Sequence, residues 1–145
     1  MATYMEPQDS AWKEAWQVTE NLIKLMHAEV ESRGKVFMAI TVSSGPHDQT
    51  ARRVLERRFG VGDLFYSENR IRALGENSFE VLALAPLFQA YAEEHRIFLH
   101  GFSGHWNIAG HHLAGQLIAQ ELCKKLARAA GPGRSGVSRD SIATR

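Results

Sequence analysis

Apolar residues recur at spacings of three and four along the first part of the chain, and this spacing predicts an amphipathic helix. Asp9 or Ser10 can cap the start of the helix, and Gly34 ends it. The stripe that we expect to face the core also carries Thr19 and consists of Trp12, Trp16, Ile23, Met26 and Val30. Residues 1–9 are then an N-terminal extension to a domain that covers residues 10–130.

Two short apolar runs predict β-strands. Lys35–Val42 reads KVFMAITV, a β-branched run that ends at a Ser-Ser-Gly-Pro turn, which is typical of a buried parallel strand. Glu80–Ala85 is the second strand, and Pro86 closes it. Between them the pattern predicts two helices, at Thr50–Phe59 and from Ser67, as N-cap, to Leu74. The order of strand, helix, helix and strand predicts an α/β fold.

The last third of the domain is dominated by one long predicted helix. Leu87–Glu94 predicts a short helix, Arg96–Leu99 is extended, and Asn107 caps a helix that runs to about Ala129. The apolar stripe of the long helix is expected to pack on the sheet and contains Leu113, Ala114, Leu117, Ile118, Leu122 and Leu126. Residues 131–145 are rich in Gly, Ser and Arg, and this composition predicts a disordered tail.

The segment that enters the long helix resembles the final conserved block of the SGNH (GDSL-type) hydrolases. In that family a Gly-His-Trp-Asn-x-x-Gly-His run carries the base histidine of a serine-hydrolase triad, and this chain has such a run from Gly104 to His111. By this resemblance, His105 occupies the position of the base. The resemblance extends over residues 10–127 and corresponds to the C-terminal half of such a hydrolase. It implies part of a flavodoxin-like, three-layer fold with few parallel strands flanked by helices.

The other members of a triad are not placed by this run. The family usually has an aspartate two or three residues ahead of the histidine, where this chain has Ser103 and Phe102. The nucleophile blocks Gly-Asp-Ser, Gly-x-Asn-Asp and Gly-x-Ser-x-Gly do not occur in the sequence. We therefore interpret the chain as a fragment or degraded copy of an ester hydrolase that keeps the base histidine, lacks the nucleophile block and has little or no activity alone. The reaction that the resemblance implies needs no metal or organic cofactor.

Candidates for the absent roles lie near the carboxyl ends of the predicted strands, where open α/β sheets bind ligands. Ser43 and Ser44 follow the first strand, and Ser44 is the candidate nucleophile, although an ordinary turn is the commoner role of such serines. Asp48, in the same loop, is the candidate orienting acid, and a backbone carbonyl is the alternative. Ser103 is too close in sequence to His105 for nucleophilic attack geometry.

A zinc site is an alternative role for the histidines in this region, because four of them lie within thirteen residues: His100, His105, His111 and His112. Their spacing lacks a helical i, i+4 pair and a nearby acid, which disfavours zinc. On residue type alone, an exposed or capping role explains His105 better than a catalytic one, with Trp106 packed beneath the long helix.

The composition and net charge of the chain limit the classes of function that it can have. The chain is 44% hydrophobic and 23% charged with a net charge of +1, which is typical of a globular protein and predicts binding neither to nucleic acid nor to an anionic membrane. Four arginines at 52, 53, 57 and 58 are expected to form a solvated helix face. The single cysteine, Cys123, excludes an internal disulfide. With no signal peptide or membrane span in the sequence, we expect a cytoplasmic protein, unless a signal belongs to a missing N-terminal half.

A sheet with few strands leaves an open edge, because the strand at Lys35–Val42 lacks a neighbour on one side. We expect self-association there, or pairing with a partner chain such as the missing half. The alternative to an ester hydrolase is a non-catalytic α/β module that binds a protein partner through this edge.

Overall fold

The computed structural model describes residues 4–44, 49–60 and 64–129. Helices alternate with two short strands, and this confirms the predicted α/β class. In chain order the elements are α1 (Ser10–Ser32), β1 (Met38–Thr41), α2 (Gln49–Phe59), α3 (Tyr66–Gly75), β2 (Glu80–Ala83), α4 (Leu84–His95) and α5 (Ile108–Ala129). The tail predicted at 131–145 lies outside the described residues.

The two strands pair in parallel, with Ile40 opposite Leu82. Parallel neighbours need a crossover connection, which α2 and α3 provide here. Among the described residues the sheet contains these two strands alone, so it is not the wide sheet of a flavodoxin-like fold. All four residues of β1 are half-buried rather than buried as predicted, because a parallel strand is fully covered only when it has neighbours on both sides.

The main core lies between the sheet, α4 and α5. Alternation along the strands directs Ile40 and Leu82 to this face of the sheet. The buried side chains of this core are Leu82, Leu84, Phe88, Leu99, Leu113 and Ala114. Burying a side chain as large as leucine or phenylalanine contributes about 1.5–3 kcal/mol, so this cluster supplies much of the driving force for folding.

The opposite face of the sheet is covered by α1 and α3. His27 of α1 packs with its ring centroid 5.6 Å from that of Phe37 and 5.1 Å from that of Phe79, the residues that precede the two strands. The end of α3 approaches β2 so closely that a Cβ at Gly75 would lie 2.6 Å from Val81 Cγ2. The molecule therefore has helices on both faces of a very narrow sheet.

The core-facing surface of α1 is narrower than its sequence predicts. Asp9 caps the helix as expected, since its carboxylate accepts the Trp12 N–H at 2.9 Å. Trp16 is buried, but Trp12 is 40% and Met26 59% exposed. The far side of α1 exposes further aliphatic side chains, namely Val18, Leu22 and Leu25. Two strands do not offer enough surface to cover all the large apolar side chains of this helix.

Helix α5 also buries fewer apolar residues than its sequence predicts, because it is much longer than the strands. It has 22 residues, which corresponds to about 33 Å, whereas a four-residue strand is about 13 Å long. Its first half packs on the core through Leu113 and Ala114, but Leu122 and Leu126, predicted to be in the same stripe, are exposed. Among the described residues, no helix has the length and apolar character needed to cross a membrane.

Two predicted boundaries are wrong. Helix α4 begins at Leu84, so Pro86 lies in its first turn instead of closing the preceding strand. Proline is tolerated there because N–H groups of the first turn have no intrahelical acceptor. Ser67 does not cap α3, whose N-cap is Phe65, and its hydroxyl donates to Glu68 at 2.9 Å.

A cluster around Arg70 joins α3 to α1. The Arg70 guanidinium pairs with the Glu20 carboxylate, donates to the Tyr66 hydroxyl at 2.7 Å, and lies 4.8 Å from the centroid of the Trp16 ring. The accepting carboxylate of Glu20 raises the pKa of Arg70. Because one side chain makes three kinds of contact across two helices, it is the main polar link between them.

We predict that Arg70→Ala lowers the free energy of unfolding by about 1–3 kcal/mol, since hydrogen bonds to charged groups and a cation–π contact are lost together. Urea denaturation followed by circular dichroism measures the change. Arg33→Ala is the matched control, because Arg33 pairs with Glu29 on the exposed surface of a single helix and such pairs contribute less than about 1 kcal/mol. Equal losses in the two variants would contradict the prediction.

Candidate active site

His105 lies in a closed loop between α4 and α5. The Gly101 N–H donates to the His105 carbonyl at 2.8 Å, and the Gly104 N–H donates to the Gly101 carbonyl at 3.0 Å. His100 and Trp106 form an isolated antiparallel bridge at the base of the loop. Gly104 has φ +77°, a left-handed conformation that residues with a Cβ rarely adopt. The backbone of the loop is therefore held by its own hydrogen bonds.

Asn107 fixes the junction between this loop and α5. Its side-chain oxygen accepts the Gly110 N–H at 3.0 Å, which makes it the helix cap predicted from the sequence, and its side-chain amide donates to the Phe98 carbonyl at 2.8 Å. Its own N–H donates to the Leu99 carbonyl at 3.0 Å. A Cβ at Gly110 would lie 2.3 Å from that Leu99 carbonyl oxygen, so only glycine permits this approach.

Trp106 connects the loop to the end of β1. Its indole N–H donates to the Ser43 hydroxyl at 2.8 Å and to the Ser43 carbonyl at 3.1 Å. Its ring packs 5.2 Å from that of Phe88 in the main core. The contact brings the loop of His105 to the rim formed by the carboxyl end of β1, where Ser43 lies.

Ser43 is an anchor in this arrangement. It is 4% exposed, and its hydroxyl lies 3.4 Å from His100 Nε2 as well as accepting the indole N–H of Trp106. Ser44, the candidate nucleophile, has its hydroxyl 3.1 Å from the Tyr4 hydroxyl. That contact also packs part of the N-terminal extension against the domain. Asp48, the candidate acid, lies outside the described residues.

The imidazole of His105 is exposed at the tip of the loop. Its Nδ1 lies 3.1 Å from the Ser103 hydroxyl, which is its hydrogen-bond partner within the part of the chain that the structure describes. The side chains three residues to either side, Phe102 and Ile108, are almost fully exposed. The exposed imidazole of His105 therefore lies within three residues of two exposed apolar side chains.

The four clustered histidines face different partners. His100 faces Ser43, His105 faces Ser103, and the ring of His111 packs edge-on against Trp106 at 5.5 Å. His112 is exposed on α5. Across residues 4–44, 49–60 and 64–129, no three His, Cys, Asp or Glu side chains converge as ligands for a metal ion.

Sequence reasoning missed the contact that builds the site, since it assigned Ser43 to a turn or to a weak nucleophile role. The residues that form this contact were visible in the sequence as a serine directly after a predicted strand and a tryptophan next to His105. Comparison with protein-family models, with curated proteins and with solved structures found no match.

We predict that Gly110→Ala destabilises the protein by about 1–3 kcal/mol, because its Cβ would overlap the Leu99 carbonyl oxygen and force the loop away from α5. Thermal unfolding measures the loss. Gly115→Ala is the matched control in the same helix, since a Cβ there meets nothing within 4 Å, and we expect it to stabilise the fold by about 0.5–1 kcal/mol. A Gly110→Ala protein as stable as the wild type would show that the close approach is not maintained.

Proposed function

We propose that this chain is the histidine-bearing part of an SGNH-type ester hydrolase, in which His105 Nε2 acts as the general base. The observation that supports this best is that the residues around His105 in the run from Gly104 to Gly110 have structural roles, whereas His105 does not. Gly104, Trp106, Asn107 and Gly110 each have a structural role in the loop. His105 has none of comparable weight, and its imidazole is exposed at the rim.

The chemistry of the proposal is acyl transfer to water. His105 accepts the proton of a serine hydroxyl as that oxygen attacks the ester carbonyl, and it then protonates the leaving alkoxide. Water attacks the resulting acyl-enzyme with His105 again as base, which regenerates the serine. The reaction moves protons and an acyl group and requires no oxidant, metal or organic cofactor.

The nucleophile is proposed to come from a segment that pairs with the open edge of β1. A parallel strand added there would bring its own carboxyl end to the rim on which His105 lies. The exposed side chains of Phe102 and Ile108 offer an apolar surface beside the imidazole, suited to that segment or to the acyl group of the ester. The partial flavodoxin-like fold belongs to this proposal, since the two strands would be part of a wider sheet.

We predict little or no hydrolysis of p-nitrophenyl acetate by the purified chain alone, and we expect any turnover to decrease at least about tenfold in His105→Ala because general base catalysis is lost. His95→Ala is the control, since His95 is an exposed histidine near the end of α4. Ser43→Ala and Ser44→Ala show whether either serine supplies the nucleophile. Turnover that falls equally in the two histidine variants would contradict a catalytic role for His105 and favour the binding function below, whereas absent turnover is what a chain without its nucleophile segment predicts.

The second candidate function is binding of a protein partner through β1. All four residues of β1 are half-buried, and Val36 and Val42, which flank the strand, are exposed. Unpaired backbone groups next to apolar side chains are a template for strand addition. A second copy of this chain and the nucleophile-bearing segment would compete for the same edge. The expected location in the cytoplasm stays a prediction.

We predict that the chain self-associates at tens of micromolar, and that Val42→Lys weakens the association about tenfold because a charge next to an edge strand opposes strand pairing. Sedimentation velocity over a concentration series measures this. Val54→Lys is the control, because Val54 is exposed to a similar degree on α2. A monomer at all concentrations, or equal weakening by both lysines, would argue against an open edge at β1.

A further inference from the structure

The loop brings two neighbouring side chains into contact at its tip. Ser103 and His105 flank Gly104, whose positive φ turns the backbone so that the serine hydroxyl lies 3.1 Å from His105 Nδ1. The hydrogen bonds of Gly101 to His105 and of Gly104 to Gly101 hold the turn. The contact is therefore a consequence of backbone geometry, although both side chains are exposed.

A neutral imidazole carries its single proton on one nitrogen, and a general base needs a free lone pair on the nitrogen that faces the nucleophile. We infer that Ser103 is the positioning residue of His105: its hydroxyl oxygen accepts the Nδ1–H, which leaves the lone pair on the outward-facing Nε2. The catalytic consequence of this inference rests on the proposed function, whereas the tautomer itself does not.

This direction of the hydrogen bond suits both states of a base. When Nε2 takes a proton, both ring nitrogens of the imidazolium are donors. A serine oxygen that already accepts from Nδ1 keeps its hydrogen bond unchanged, and its own O–H still donates to water. In the opposite tautomer Nδ1 would accept the Ser103 O–H. The Ser103 hydroxyl would then have to rotate whenever Nδ1 gains a proton and becomes a donor.

A hydroxyl is a weaker support for an imidazolium than a carboxylate, because charge-assisted hydrogen bonds are roughly twice as strong as neutral ones. Ser103 therefore orients the ring of His105 but stabilises its charged form little. We expect a base that has the right tautomer but whose charged form is stabilised less than it would be by a carboxylate at position 103.

The test is the tautomer of His105 in the full chain, read from its two ring nitrogens by long-range ¹H–¹⁵N NMR at a pH where the ring is neutral. His95 is an internal reference, since its Nδ1 lies 3.0 Å from the Tyr91 carbonyl, which can only accept. We expect Nδ1–H to predominate at His105 as at His95, to become the minor form in Ser103→Ala, and to return in Ser103→Thr. A majority of Nε2–H in the wild type, or no change in Ser103→Ala, would overturn the inference.

Ester turnover separates this inference from the proposed function. We expect Ser103→Asp to raise the His105-dependent rate about five- to tenfold, as a charge-assisted hydrogen bond replaces a neutral one. If turnover depends on His105 but the tautomer of His105 is the same in Ser103→Ala as in the wild type, the positioning role is wrong and the hydrolase proposal stands. If the tautomer changes in Ser103→Ala but turnover is unchanged in His105→Ala, the positioning contact stands and the hydrolase proposal is wrong. Unchanged signals of His95 show that each variant is folded.

Discussion

The hydrogen bonds from the Trp106 indole to Ser43 are the contact on which the rest of the site depends. They join two segments that are 63 residues apart, the end of β1 and the loop before α5. The same indole packs against Phe88, so the polar contact is continuous with the main core. Without these hydrogen bonds the link between the loop and the end of β1 would be reduced to the contact of His100 Nε2 with the Ser43 hydroxyl at 3.4 Å.

The second constraint is the close packing of backbone segments around the loop, and it explains why glycines lie on both sides of His105 in the sequence. Gly104 adopts a conformation that a Cβ opposes, and Gly110 lets the first turn of α5 lie against the Leu99 carbonyl. Together with the Asn107 cap these residues give the loop one conformation. His105 is thereby exposed without a structural role such as those of Gly104, Trp106, Asn107 and Gly110, and this is the physical basis for proposing that it carries the chemistry.

The narrow sheet limits how many apolar side chains of the helices can be buried. Helices α1 and α5 carry apolar residues for a larger core than two strands can provide, and the surplus is exposed at Leu22, Leu25, Leu122 and Leu126. Exposed aliphatic side chains in such number on two helices are typical of surfaces that meet another segment. The hydrolase and the binding proposals share this consequence, since both require a further strand at β1.

Local signals in the sequence determined the order of the elements, because the apolar spacing, the Asp9 and Asn107 caps and the terminal Gly34 are local properties of the chain. His105 was singled out only by the resemblance of its run to a family block, and its role stays a proposal. Burial on α1 and α5, the anchoring role of Ser43 and the contact of Ser103 with Nδ1 were decided only by tertiary structure. The physical reason is that these properties depend on what lies opposite each side chain in space, and on a sheet too narrow to cover every apolar position that the spacing supplies.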